Sequence, residues 1–486
     1  MTKMNLILMA IASWMMLGCG GGDDAGSSAG GSGGGNPTPT TSAPVVSSVT
    51  PANGATDIAI GDVAITVTYD QTVQLASTDK SKIQISGGTI TALSASGKEV
   101  KMTANCPENS KTVAITIPKD LVTNANSQGA GAYSFSFTTV AAAAPVNTDI
   151  ASTPVVATTE SAKKLYSYFV EQYGQKVISS VMAEVNWNHK IADNIKSATG
   201  KYPAMNCYDF IHIYVPENNW INYNDITPVK EWADAGGIVQ LMWHFNVPVN
   251  ASTTPGVDGS GVTCTPSETS FRATNVFTEG SWENKWFYQQ MDKVVAVLLK
   301  LQDAGIAATW RPFHEAAGNA TYKQQATWTK SWFWWGYDGA DICKKLWITM
   351  FDYFKSKGVN NLIWIWTTQN YNGDANQYNA DSDWYPGDQY VDIVGRDLYG
   401  YTAAKNEQEF REIQARYPNK MVVLSECGID NSTNTPYANI SDCWNTGAKW
   451  GHFMVWYGAN LCSNSWWSDA LKNSNVITRD QLPSLK

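Results

Sequence analysis

The sequence predicts an α/β protein whose main body is a (β/α)8 TIM barrel, preceded by a small all-β sandwich. Two patterns carry this expectation. From residue 151 onward, short apolar runs alternate with amphipathic segments until eight strand-like runs have appeared, as eight strand–helix units require. Over residues 43–140 the runs are instead β-branched or of period two, with Gly, Asn and Pro turns between them and no helical periodicity. The length of 486 residues agrees, since it implies about two or three domains.

The amino terminus bears on the compartment. Lys3 precedes an apolar run at residues 6–17, too short for a stable bilayer anchor and suited to a secretory signal. It ends Met16-Leu17-Gly18-Cys19, which resembles a bacterial lipobox and would make Cys19 the lipidated first residue of the mature protein. An ordinary signal peptide cut nearby is the alternative. Three glycines, Asp23, Asp24 and a Gly/Ser/Pro/Thr tether follow to residue 42. Early acidic residues after the cysteine resemble the surface-export signal of some bacterial lipoproteins. The expected location is therefore the outer membrane, held by the lipid on Cys19 and facing outward.

The sandwich is expected over residues 43–140, with strands near 45–49, 63–69, 82–85, 100–102, 112–117 and 133–138. The stretch Thr50-Pro51-Ala52-Asn53-Gly54-Ala55-Thr56-Asp57, closed later by Phe135-Ser136-Phe137-Thr138-Thr139, resembles the bacterial Ig-like domains that precede surface enzymes. Such a domain is a spacer or a glycan binder. It carries no cluster of tryptophans, which favours the spacer. Residues 141–150, rich in Ala and Pro, read as a second linker leading to a catalytic domain over residues 151–486.

Barrel strands are expected at residues 178–182, 204–208, 238–243, 306–310, 362–366, 391–395, 421–425 and 452–456, with helices such as 285–304 and 341–357 between them. An open doubly wound sheet is the competing topology, but no Gly-rich nucleotide loop follows the first strand. In a barrel the residues just past each strand share one rim, and that rim carries the chemistry.

Read together, the rim residues point to sugar chemistry. Strand three ends in His244, Phe245 and Asn246; strand four in Arg311, His314 and Glu315; strand six in Arg396, Asp397 and Tyr399. Glu426 ends strand seven, and Trp456 and Tyr457 end strand eight. Glu315 and Glu426 then oppose each other across one mouth, as cleavage of a glycosidic bond requires: one carboxylic acid protonates the leaving oxygen while a second carboxylate acts from the other face of the sugar. The plainer alternative is a rim ion pair with Arg311 or Arg396. The 21 Trp and 22 Tyr offer stacking faces for pyranose rings, although many must simply fill the core. Ser331-Trp332-Phe333-Trp334-Trp335-Gly336 reads as a group of exposed aromatics beside the carboxylate.

Trp310-Arg311-Pro312-Phe313-His314-Glu315, Trp332-Phe333-Trp334-Trp335-Gly336, the run from Val391 through Tyr399, and Leu424-Ser425-Glu426 resemble the β-mannanases of glycoside hydrolase family 26. The resemblance implies endo-acting, retaining double displacement on mannan, glucomannan or galactomannan, with Glu315 as acid/base and Glu426 as nucleophile. It further implies that Tyr399 hydrogen-bonds the nucleophile, that Arg311 orients it, and that His244 and His314 line the subsite at the cleaved bond. Trp456 would be its floor and Trp332 a stacking platform on the leaving-group side. One departure is visible: residues 319–330 intervene between the acid/base and the Trp-rich run, and this insert would narrow the cleft toward exo action. Mixed-linkage β-glucan and β-1,3-xylan are the alternative substrates within the family, and a non-catalytic surface glycan-binding lipoprotein is the alternative from another class.

The net charge of -9 argues against nucleic acid as a partner, since phosphate recognition needs clustered Lys and Arg. No metal or organic cofactor is expected, because two glutamates suffice and the five His form no ligand spacing. A monomer is expected. With Cys19 lipidated, Cys106, Cys207, Cys264, Cys343, Cys427, Cys443 and Cys462 remain, an odd number that leaves at least one thiol free. Cys207 and Cys427 fall in apolar runs and are expected to behave as small buried hydrophobes.

Overall fold

Residues 42–141, 145–184, 186–217, 219–317, 331–368 and 383–485 are described by a computed structural model. The signal peptide, Cys19, nearly all of the tether and the insert at residues 319–330 lie outside these residues. The chain divides into two compact units, one holding the described residues up to 141 and the other those from 145 onward.

The first unit is a sandwich of two four-stranded sheets. One sheet orders Val46–Thr50, Gly61–Tyr69, Glu99–Cys106 and Thr89–Ser96; the other orders Ala55–Ile58, Tyr133–Thr139, Thr112–Ile117 and Gln84–Ser86. Alternation does the work here. In Gly61–Tyr69 the inward positions Val63, Ile65, Val67 and Tyr69 are buried while Asp62 and Ala64 face water. Two features depart from expectation. Lys82 belongs to a short 3-10 turn capped by Asp79, so that strand starts at Gln84. Thr89–Ser96 also forms a strand although only its first three residues, Thr89, Ile90 and Thr91, are β-branched; pairing with Glu99–Cys106 supplies what the Ala- and Ser-rich remainder lacks.

The second unit is a closed barrel of eight parallel strands: β1 (Val177–Met182), β2 (Met205–Asp209), β3 (Ile238–Trp243), β4 (Ala308–Pro312), β5 (Leu362–Thr367), β6 (Ile393–Tyr399), β7 (Met421–Gly428) and β8 (His452–Val455). Neighbours pair in sequence order, and β8 returns to β1 with Ile178 opposite His452. Residues of β1, β2, β3, β4 and β5 are buried throughout, because helices cover the outer face and side chains fill the inside. All eight predicted strands are present within a few residues of the expected bounds. A short strand, Val476–Ile477, adds to the outer edge of β1.

Local chemistry sets the connecting helices. Ser281 caps Trp282–Asp303 by accepting from the Asn284 amide at 3.0 Å, and Val294, Val297, Leu298 and Leu301 give that helix its buried stripe. Cys207 and Cys427 are buried as expected, and none of the seven described cysteines forms a disulfide. Among the described residues, no helix is long and apolar enough to cross a membrane.

Candidate active site

The barrel closes the distances that the sequence leaves open. Arg311 on β4 is fully buried, and its guanidinium reaches across the mouth to three other strands. Nη1 donates to Glu426 Oε1 on β7 at 2.6 Å, Nε donates to Thr367 Oγ1 on β5 at 2.8 Å, and Nη2 bonds Asp397 Oδ2 on β6. Tyr399 Oη donates to the other Glu426 oxygen at 2.6 Å. Burial, followed by the charges of Glu426 and Asp397, holds the Tyr399 phenol well above its ordinary range, so it stays a neutral donor. Both oxygens of Glu426 are thus fixed by donors, which aims the carboxylate.

A register shift between β6 and β7 builds the cluster. Arg396 pairs with Leu424 but Asp397 pairs with Glu426, so Ser425 is the extra residue of a bulge. Its hydroxyl donates to Asp397 Oδ1 at 2.8 Å. One oxygen from each of Glu315, Asp397 and Glu426 lies within 4.8 Å of the others. Among the described residues this is the one group of acidic, His or Cys side chains whose spacing could hold a cation. Arg311 already bonds two of its members, so a side chain supplies the positive charge there.

Glu315 sits just past β4 in a strained backbone. Its φ is 48° and that of Phe313 is 46°, left-handed values that side chains rarely adopt. Its carboxyl is raised well above the usual range, first by burial and then by the charges of Asp397 and Glu426, against the pull of Arg311. A hydrogen bond shared with Asp397 adds to this, and Asp397 is itself pushed up to about 7 by burial. The proton therefore resides on Glu315, while Glu426 accepts from two donors, so two carboxyl groups in one mouth are held in different surroundings.

The two histidines form a relay anchored on β2. Asp209 is fully buried; it accepts from the His244 amide at 3.0 Å and from His244 Nδ1 at 2.5 Å. That bond fixes the imidazole, whose Nε2 lies 3.2 Å from His314 Nε2. Burial, then the charge of Arg311, holds His314 well below its ordinary range, so it is neutral at physiological pH. Trp456 lies with its ring centre 5.8 Å from that of His244 and rests on a cluster of Met182, Cys207, Met242 and Met454 inside the barrel.

The Trp-rich run differs from expectation. Trp334 and Trp335 are buried, with their indole N–H groups donating to Phe245 O at 2.6 Å and His314 O at 2.8 Å. They are structural anchors, not exposed platforms. Only Trp332 and Phe333 of that run keep partial exposure. Phe333 stacks on Trp335 at 4.3 Å and meets the His244 and His314 rings at 5.7 and 5.1 Å. Gly336 permits this fold-back, since a Cβ there would lie 1.6 Å from Ala316 O. The alternative ion pair with Arg396 does not form: that side chain bonds Glu409 at 3.4 Å, behind the barrel wall. Sequence reasoning missed Asp209 and Phe333 and noted Asp397 only as a strand-end residue. Asp209, the last residue of β2, and Asp397, at a strand end beside Tyr399, were the available signals.

A (β/α)8 barrel that gathers opposed carboxyl groups on this rim, one protonated and one fixed by donors, defines the class of the glycoside hydrolases. Residues 155–481 match glycosyl hydrolase family 26, and residues 40–139 match a bacterial Ig-like domain. The chain belongs to glycosyl hydrolase family 26. It is similar to the GH26 domain of an endo-beta-mannanase/endo-beta-glucanase from Prevotella bryantii, at 58% identity and a TM-score of 0.66 over 68% of this chain and 99% of that one. A beta-mannanase from a symbiotic protist of the termite Reticulitermes speratus, solved with a gluco-manno-oligosaccharide, is 32% identical with a TM-score of 0.54, covering 69% of this chain and 99% of that one. Mannan endo-1,4-beta-mannosidase B of Piromyces sp is 30% identical over 339 residues, 67% of this chain and 52% of that protein. The chain spans about half the length of the curated relatives it matches first.

Proposed function

We propose that this protein is an endo-acting retaining β-1,4-mannanase that hydrolyses mannan, glucomannan or galactomannan. The observation that carries the reading is the spacing of the carboxyl groups: oxygens of Glu315 and Glu426 lie within 4.8 Å. Retaining sites hold their carboxyl groups about 5–5.5 Å apart, whereas inverting sites need roughly 6.5–9.5 Å to admit water between them. The naming of its relatives as mannanases supports the substrate class.

In the first step Glu426 attacks the anomeric carbon as the glycosidic C–O bond breaks, and the Glu315 proton passes to the leaving oxygen. In the second, Glu315 as carboxylate takes a proton from water, whose oxygen displaces Glu426. Arg311 and Tyr399 orient the nucleophile, and Asp397 holds the Glu315 proton in place. His244, held by Asp209, and His314 line the subsite at the cleaved bond; Trp456 is its floor and Trp332 the ring on the leaving-group side. The amino-terminal segment directs lipidation at Cys19 and surface display at the outer membrane, a reading supported by the lipobox-like residues and tested by palmitate labelling of a Cys19→Ser variant.

Reducing-sugar release from mannan, lichenan and β-1,3-xylan, measured side by side, tests the substrate. Release from mannan is expected; release from either of the others alone overturns the assignment. Glu426→Ala should abolish turnover. Glu315→Ala should slow substrates with poor leaving groups most, and equal slowing of activated and natural substrates contradicts its role.

A further inference from the structure

Gly395 on β6 pairs with Val423 on β7 in regular register, and its backbone is not left-handed. Glycine weakens a strand, so with an ordinary backbone the reason for it is a close approach by a neighbour. That neighbour is Ser425: a Cβ on Gly395 would lie 2.3 Å from Ser425 Oγ and 2.8 Å from Ser425 Cβ. Gly395 leaves a slot, and the Ser425 hydroxyl fills it.

The slot aims that hydroxyl at one acceptor. By strict alternation Ser425 and Glu426 would point to opposite faces of β7, but the bulge lets both face into the barrel, where Ser425 bonds Asp397 and Glu426 bonds Arg311. Ser425 is fully buried, and a serine hydroxyl has a single proton to donate. It goes to Asp397 Oδ1 at 2.8 Å, while Arg311 bonds Oδ2. Both oxygens of Asp397 therefore meet donors, which suits a carboxylate and not an acid.

Asp397 and Glu315 share a hydrogen bond whose proton has two places to sit. On Glu315 it leaves Asp397 as a carboxylate facing two donors. On Asp397 it leaves those donors facing a neutral group, and hydrogen bonds to an ionised acceptor are roughly twice as strong. We propose that Ser425 is a positioning residue that, acting through Asp397, keeps the shared proton on Glu315, where departure of the leaving group needs it. The proposal rests on the retaining mannanase reading for that use of the proton. The other charged and titratable groups around Asp397 are Arg311, Glu426, Tyr399 and Cys427, all of which Ser425→Ala leaves in place.

The test compares the wild type and Ser425→Ala on mannan and on an activated aryl β-mannoside. At pH 7 the variant should lose roughly threefold to tenfold in kcat/KM on mannan, and less than about twofold on the activated substrate, whose leaving group needs no proton. On mannan the deficit should shrink toward pH 5, where Glu315 and Asp397 both carry protons and the assignment no longer matters. No loss at pH 7 overturns the proposal. So does a loss equal on both substrates or independent of pH, which marks a merely structural role. Should the wild type cleave no mannan, the mannanase reading fails by itself, and 13C NMR of protein labelled at the Glu and Asp carboxyls decides the assignment. At pH 7 the protonated carboxyl should be Glu315, identified by loss of its signal in Glu315→Gln. In Ser425→Ala the proton should pass in large part to Asp397, identified by adding Asp397→Asn. A proton on Asp397 in the wild type, or one that stays on Glu315 in Ser425→Ala, refutes the proposal.

Discussion

Arg311→Met is the sharpest perturbation of the site, because it removes the one cation that the cluster contains. The native guanidinium is fully buried and bonds both Glu426 and Asp397. Breaking one side of a buried ion pair costs about 3–5 kcal/mol, so we expect a loss of about 4 kcal/mol at pH 8. At roughly 2 °C per kcal/mol for a domain of this size, the barrel should melt about 8 °C lower. The loss should depend on pH in a fixed direction. Asp397 is pushed up to about 7 from an ordinary 3.8, so the folded state binds its proton more tightly than the unfolded state does. Stability from that group is full below the ordinary value and falls as pH rises toward 7. Arg311 pulls Asp397 and Glu315 downward, and removing it extends the fall to higher pH. At pH 5, with both carboxyl groups protonated, the deficit should shrink to roughly half. Differential scanning calorimetry at both pH values measures this. A drop of less than about 2 °C at pH 8, or equal drops at both, would refute the reasoning.

Three further outcomes follow from the same geometry. Tyr399→Phe removes a 2.6 Å bond to Glu426 and should lower kcat by roughly 10–100-fold, read by steady-state kinetics on an aryl glycoside. Asp397→Asn takes away a negative charge that raises Glu315, so the basic limb of the kcat/KM profile should move to lower pH; a stationary limb would leave burial and the charge of Glu426 as the causes. Asp392 accepts from the Val155 and Trp364 amides at 2.6 and 2.8 Å, and Asp392→Ala should cost about 2–4 kcal/mol in urea unfolding, with little change in KM.

The barrel was legible because its strands are buried on both faces and so read as unbroken apolar runs, such as Leu362–Thr367. Thr89–Ser96 was not, since Ala and Ser carry no local signal and only the neighbouring strand makes them a sheet. Glu315 and Glu426 were readable as strand-end residues in sequence. The part played by Asp397 was not, because its place beside Glu426 depends on the bulge at Ser425, which has no signature of its own. The Trp-rich run misled for the opposite reason. Hydrophobic rings near a carboxylate look the same in sequence whether they face sugar or core, and only their bonds to the Phe245 and His314 carbonyls separate the two.

Those bonds also frame the chain that leaves β4. On one side Glu315 and Ala316 leave β4; on the other, Ser331 donates to Ala316 O at 3.1 Å, Trp335 donates to His314 O, and Gly336 presses against Ala316. The chain is stapled to itself at both ends of residues 318–330. Whatever sequence is spliced between the staples, Glu315 stays registered to the barrel. The fold thus carries an exchange port beside Glu315, where segments of different length or composition can be grafted while the spacing of Glu315 and Glu426 is left alone.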